Sequence, residues 1–212
     1  TVNHDDLWAF EGKRVPIHWH DDLEISLPRE GEAIYQIYEK SYIVRPGEGL
    51  LLNRNVPHSC SSQNNARARY STILVRPDFL YGDFGSDIER NCFRPFLENS
   101  AVPCIHLKGT DEGEKEILKL LNQVEEVFDR KACCYELRIK GLLCEAFSMI
   151  LSENRKSFSR FVPANQLELE RLEKMLNYLN ARSQEVISLQ SLAEQVHLSR
   201  EVCCRLFKKM TG

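Results

Sequence analysis

Between residue 8 and about residue 80 the apolar positions come in short bursts divided by turn formers, which is the pattern of strands. Val15 to Leu27 reads as the first, followed by Ala33-Tyr38, Ser41-Val44, Gly49-Leu52 and Ala66-Val75, with Gly31, Pro46-Gly47 and Asn53-Arg54-Asn55 as punctuation. Many short strands with one long return favour a small barrel or sandwich over alternating strands and helices. Residues 77–111 carry Phe79, Leu80, Tyr81, Phe84, Phe93, Phe96 and Leu97, predicting short helical turns that cover the barrel and a last strand near Cys104-Leu107. From Glu112 the period changes. Ile117, Leu120, Leu121, Val124, Val127 and Phe128 recur at helical spacing as far as Arg130. Leu137, Ile139, Leu142, Leu143, Ala146, Phe147, Ile150 and Leu151 do the same over Cys134–Leu151, across a wider arc. This pair either caps the barrel or forms a two-fold dimer seam, with Leu121, Val124, Phe128, Leu143 and Phe147 as candidate contacts.

Residues 154–166 are basic, polar and broken by Pro163, and read as a linker. Beyond them Leu169, Leu172, Met175, Leu176 and Leu179 predict an amphipathic helix over Leu167–Asn180. Ser188 is a credible N-cap for the next helix. After a break at Val196-His197-Leu198, Ser199 caps a last one, Arg200–Met210, with Val202, Cys203, Leu206 and Phe207 turned inward. A short helix, a break and a Ser-capped basic helix is helix-turn-helix spacing, although a solvated helical hairpin would share it. The outward positions are Arg200, Glu201, Cys204, Arg205, Lys208 and Lys209. Arg205 has the reach for a guanine edge, and the lysines suit phosphates. The expected organisation is a barrel (1–111), a helical hairpin (112–153), a linker (154–166) and a helix-turn-helix segment (167–212).

Charge adds to this. Over its 212 residues the chain has a net charge of -3, which does not advertise a nucleic-acid partner, but Arg155 to Gly212 alone carries +4. An acidic front and a basic back fit a non-DNA module joined to a DNA-binding one. The 8 cysteines form no CxxC, no segment approaches a membrane span, and no signal peptide opens the chain, so the expectation is a reduced, cytoplasmic protein with no membrane partner. Thr1 in place of an initiator methionine reads as a processed or trimmed start.

The front half also carries candidate chemistry. On a strand with a side-chain period of 2, His18 and His20 point the same way and Glu24 has the parity to join them; His58 follows 34 residues later. Three imidazoles and a carboxylate suit a borderline divalent metal such as Zn, Mn, Fe or Ni, and they equally suit a metal-free polar pocket. Tyr35, Tyr38 and Trp19 would offer stacking surfaces to a solute if they faced inward.

Ile187-Ser188-Leu189-Gln190-Ser191-Leu192-Ala193-Glu194-Gln195-Val196-His197-Leu198-Ser199, continuing to Arg205 and Leu206-Phe207-Lys208-Lys209-Met210-Thr211-Gly212, resembles the first helix-turn-helix of the AraC/XylS family of transcription regulators. His197 stands where the family usually has Gly in the turn, and His tolerates a positive φ. By that resemblance Ser199, Arg200, Glu201, Cys204, Arg205 and Lys208 would face DNA, with Arg205 the strongest base reader. Val15–Ile25, Arg45–Gly49 and Pro57-His58 resemble the family's cupin sensor. His18, His20, Glu24 and Gly31 fit the first motif of metal-binding cupins and His58 fits the second, where Asn53 and Asn55 depart from its Pro and Gly. The resemblance implies a mixed fold: a cupin (jelly-roll) β-barrel with an antiparallel helical hairpin, then an all-α helix-turn-helix subdomain. It implies a homodimeric, ligand-responsive regulator of double-stranded DNA, not an enzyme, with no required cofactor. The small-molecule effector, a carbohydrate by family analogy, would meet His18, His20, Glu24, Tyr35 and His58. The family's second helix-turn-helix is absent from this chain. The rival reading is a metal-dependent cupin enzyme, a dioxygenase or isomerase, but nothing nominates its acid or base and it leaves the C-terminal segment without a use.

Overall fold

A computed structural model of the chain describes residues 1–159, 162, 165–183 and 185–212. The strands are β1 (Val2–Asp6), β2 (Val15–His18), β3 (Leu23–Glu30), β4 (Ala33–Ile37), β5 (Lys40–Val44), β6 (Gly49–Leu52), β7 (His58–Ser61), β8 (Arg69–Val75) and β9 (Cys104–Leu107). They form two antiparallel sheets, ordered β1-β8-β3-β6-β9 and β2-β7-β4-β5. Short helices α1 (Pro77–Tyr81) and α2 (Arg94–Leu97) precede β9, and the long pair α3 (Glu112–Arg130) and α4 (Tyr135–Glu153) follows it. Three more, α5 (Gln166–Ala181), α6 (Leu189–Gln195) and α7 (Arg200–Thr211), make a separate apolar cluster. The barrel-plus-hairpin and helix-turn-helix architecture expected from the sequence is the one observed.

The five-stranded sheet is covered on both faces, and strand alternation sorts its side chains between two cores. Leu23, Ile25, Leu27 and Leu51 turn towards α3 and α4, meeting Ile117, Leu121, Val124, Leu143, Phe147 and Ile150. Leu50 and Leu52 turn the other way and pack with Tyr35, Ile37, Val44, Val56 and Tyr70 between the sheets. Glu24 and Ser26 occupy that inner face of β3 and are buried. Gly31 makes the turn to β4 at φ +71, and a Cβ there would lie 2.3 Å from the Arg67 carbonyl oxygen, so only glycine fits.

Several expectations change. Val15–Leu27 is two strands in different sheets: the chain leaves β2 after His18, turns through residues 19–22 and enters β3 at Leu23. His20 Nδ1 bonds the Asp22 carbonyl and Asn55 N–H donates to the His20 carbonyl, so local polar groups take the backbone bonds a continuous strand would use. Polar β1 and the short β7 are strands that periodicity did not mark. Leu121, Val124, Leu143 and Phe147 lie fully inside the chain's own core, and Phe128 is half-buried against it, so these side chains do not form an outward seam. The surface of α4 instead presents Leu137, Gly141, Cys144 and Ser148.

In residues 154–166, Phe158 is buried against Phe96, the Val162 N–H donates to Asn99 Oδ1, and the Val162 carbonyl accepts from Ser100 N–H. Pro163, the linker's marker, lies outside the described residues.

Candidate functional site

The four donors come from both sheets. His18 ends β2 directly opposite His58, the first residue of β7, and their ring centroids are 4.3 Å apart. Glu24 rises from the inner face of β3, and His20 leans over it from the β2–β3 connection. The expected convergence is therefore met by a different route: strand closure, not parity along one strand, brings the groups together. One donor atom from each of the four lies within 4.8 Å of all the others.

Each imidazole is fixed by its far nitrogen. His18 Nδ1 is 2.9 Å from the Pro16 carbonyl oxygen, His20 Nδ1 is 3.0 Å from that of Asp22, and His58 Nδ1 is 2.8 Å from that of Val56. A carbonyl only accepts, so each Nδ1 carries a proton, and whenever a ring is neutral its Nε2 is a bare lone pair. The Nε2 atoms of His20 and His58 lie 3.1 and 3.2 Å from Glu24 Oε2. His58 Nε2 is misaligned for a hydrogen bond and stays buried without a partner among the described residues. Lone pairs facing a carboxylate need a positive charge between them, which a proton or a metal ion supplies. Burial opposes the Glu24 charge, but the hydrogen bond with His20 and the positive charges of protonated His20 and His58 outweigh it and hold the carboxyl at about 2. The Glu24 hydrogen bond raises the His20 pKa, whereas burial and then the neighbouring His58 lower that of His18. The donor set fits a divalent ion: tetrahedral bonds of about 2.0–2.2 Å put donors roughly 3.3–3.6 Å apart, and the cup's donors span 3.1 Å between His20 and Glu24 to at most 4.8 Å.

Tyr35 stands beside the cup, its ring centroid 6.4 Å from His58, and its buried hydroxyl donates to Ser26 Oγ over 2.7 Å. Trp19 and Tyr38 do not line the cup; they pack on the core of α5–α7. The three rings therefore do not gather around one solute. Asn53 and Asn55, the departures from the enzyme motif, have structural uses. Asn53 Nδ2 donates to the Phe96 carbonyl, and Asn55 takes a left-handed φ of +57 while its side chain donates to Asp21.

At the other end, Ser188 Oγ accepts from Ser191 N–H and Ser199 Oγ from Val202 N–H, capping α6 and α7 as expected. His197 turns the chain between them at φ +54. Cys203, Leu206 and Met210 face the cluster; Val202, expected inside, is exposed. Ser199, Arg200, Glu201, Cys204, Arg205 and Lys208 are all exposed on α7 or at its cap, whereas Lys209 is drawn into an ion pair with Glu168 of α5 at 2.7 Å. Between this unit and the barrel lies a cavity of about 510 Å³ lined by Tyr38, Arg54, Leu97, Leu169 and Met210 among others; none of the four cup residues is in its wall.

Residues 7–147 match the model of the AraC-like ligand binding domain. The chain belongs to that family. This AraC-like chain is 26% identical over 204 residues to the uncharacterized HTH-type transcriptional regulator YdeC of Bacillus subtilis (strain 168), covering 92% of this chain and 66% of the relative. It thus spans just under two thirds of YdeC. Among solved structures it is similar to unsaturated fatty acid bound wild-type ToxT from Vibrio cholerae strain SCE256, with a TM-score of 0.48 and 15% identity over 99% of this chain and 73% of that one. The AraC-like transcriptional activator CuxR gives a TM-score of 0.42 and 15% identity over 89% of this chain and 61% of that one. No helix among the described residues of the AraC-like chain is long and apolar enough to cross a membrane.

Proposed function

We propose that this chain is the sensor and part of the DNA reader of a transcription regulator working in the cytoplasm, binding no membrane and catalysing no reaction. The observation that carries the reading is the pairing of an AraC-like sensor domain with a Ser199-capped helix whose outer face bears Arg200, Arg205 and Lys208 over its own apolar core. In this reading α7 enters the major groove, Arg205 contacts a base edge, and Ser199, Arg200, Glu201, Cys204 and Lys208 complete the contact with bases and phosphates. The enzyme alternative leaves those three helices without a role.

The effector enters at the cup. Donors within 4.8 Å of each other enclose a single ion more readily than a sugar ring, and of the aromatic side chains considered for stacking only Tyr35 is adjacent. We therefore assign the cup a divalent cation, Zn, Mn, Fe or Ni, held by His18, His20, Glu24 and His58, ahead of a carbohydrate. The protein acts as a homodimer in which the exposed stripe Leu137-Gly141-Cys144-Ser148 of α4 meets a second copy, since the inner faces of both long helices are spent on the barrel.

The test is DNA binding by the full-length protein on its own upstream region, followed by fluorescence anisotropy. Arg205→Ala should weaken the specific site by about 1–3 kcal/mol and random DNA much less. Equal losses on both would reduce Arg205 to a phosphate contact, and a wild-type protein with no preference for any site would remove the regulator reading.

A further inference from the structure

Two imidazoles of the cup, His18 and His20, flank a residue that packs on the other end of the molecule. Side chains alternate along extended backbone, so if 18 and 20 turn into the barrel then 19 turns out. Trp19 does so, and its half-buried ring packs on the apolar core of α5–α7, the core formed by Leu169, Leu172, Met175, Leu192, Cys203 and Leu206. We infer that Trp19 couples occupancy of the cup to the seat of the helix-turn-helix unit, so that an ion drawn in by His18 and His20 changes how α5–α7 are held on the barrel. The inference rests on the cation assignment above.

Three features make the coupling mechanical. His18, Glu24 and His58 are fixed in ladders, whereas His20 lies in the connection between β2 and β3, outside both sheets. Adjustment of the donors to coordination geometry therefore falls mainly on His20 and the backbone next to it, which is the backbone of Trp19. The same connection is tied to the segment below the helical unit: Asn55 N–H donates to the His20 carbonyl at 2.8 Å and Asn55 Nδ2 to Asp21 at 2.7 Å. Asn53, Arg54 and Asn55 line the cavity of about 510 Å³ beneath α5 and α7. Finally, that cavity leaves the junction incompletely packed, so the seat is free to shift where a close-packed interface would resist. Trp19 is a positioning residue here; it ligates nothing.

The chain has 2 tryptophans, so Trp8→Phe leaves Trp19 as the sole indole reporter. Zinc titrated into that variant should change Trp19 emission and saturate at one equivalent, with His58→Gln as the background for zinc taken up by thiols. Amide hydrogen exchange of residues 200–211 in the wild-type chain should change at least several-fold on zinc addition. Trp19→Ala and Trp19→Leu should bind zinc by calorimetry as the wild type does and lose the exchange response, and Trp19→Phe should restore part of it. A full exchange response in folded Trp19→Ala or Trp19→Leu overturns the coupling. If the wild type takes up no zinc beyond the His58→Gln background, the cation assignment fails, and the coupling is then decided without metal. His20→Ala, Trp19→Leu and the double variant are compared by exchange of α7: non-additive effects uphold the link, additive ones end it.

Discussion

At the residue scale the barrel interior depends on buried polar groups that satisfy one another. Tyr35 buries a hydroxyl whose partner is Ser26 Oγ, and both side chains are sealed from water. Ser26→Ala should cost about 1–3 kcal/mol in urea denaturation, because the phenol keeps its desolvation penalty and loses its bond. Gly31→Ala should cost at least about 1 kcal/mol by the same assay, since the added methyl meets the Arg67 carbonyl and the backbone sits at positive φ. Neither position touches a cup donor, so both variants should still bind zinc once folded. The sequence marked the four cup residues by identity, yet its physical reason for grouping them was wrong: His20 and Glu24 do not share a strand. Only barrel closure, a property of the whole topology, brings His18 opposite His58 and Glu24 beneath them.

Helices were more legible than strands. The apolar repeat put α3 at Glu112–Arg130, as observed, because one face is buried and the other solvated. α4 begins one residue later than expected, since Cys134 takes a left-handed φ of +60 and cannot open a helix. β3 hid its true start because the apolar parity of Val15, Ile17 and Trp19 runs on in phase through Leu23, Ile25 and Leu27, so the turn at residues 19–22 barely interrupts the alternation. β1 hid for another reason, being an edge strand of polar residues such as Asn3, His4 and Asp5. The wide apolar arc of α4 was read correctly as more than one contact, but most of it goes to the barrel. That distinction is testable. Leu137→Glu, at a position 72% exposed, should give a folded monomer by analytical ultracentrifugation. Leu143→Glu should instead lose the near-ultraviolet circular dichroism of the fold, because an unpaired carboxylate in that core costs several kcal/mol. A dimer that survives Leu137→Glu moves the interface off this stripe.

For the whole molecule, the cup joins the two sheets: His18 and His58 belong to one and Glu24 to the other. An ion bound there favours only the closed barrel, so its binding free energy adds to stability. At a hundredfold excess over the dissociation constant this amounts to about 2.7 kcal/mol. For a chain of this size that is a rise in Tm of ~5–10 °C in zinc, reversed by chelator and missing in Glu24→Gln. A Tm unmoved by Zn, Mn, Fe and Ni would remove the cation from the cup.

The pairing of β1 with β8 sets the order in which this protein can be built. Val2 lies opposite Ile73, and β8 is also the strand that zips against β3. Among the described strands β1 leaves the ribosome before all the others, and β8, the strand it pairs with, emerges about seventy residues later. Such distant pairing is slow to find, placing the barrel among folds that form in milliseconds to seconds. The hairpin of α3 and α4, whose contacts are local, has no such wait. β1 is thus held in reserve while its partner is synthesised, and a chain halted before residue 75 leaves it an unpaired edge for chaperones to cover.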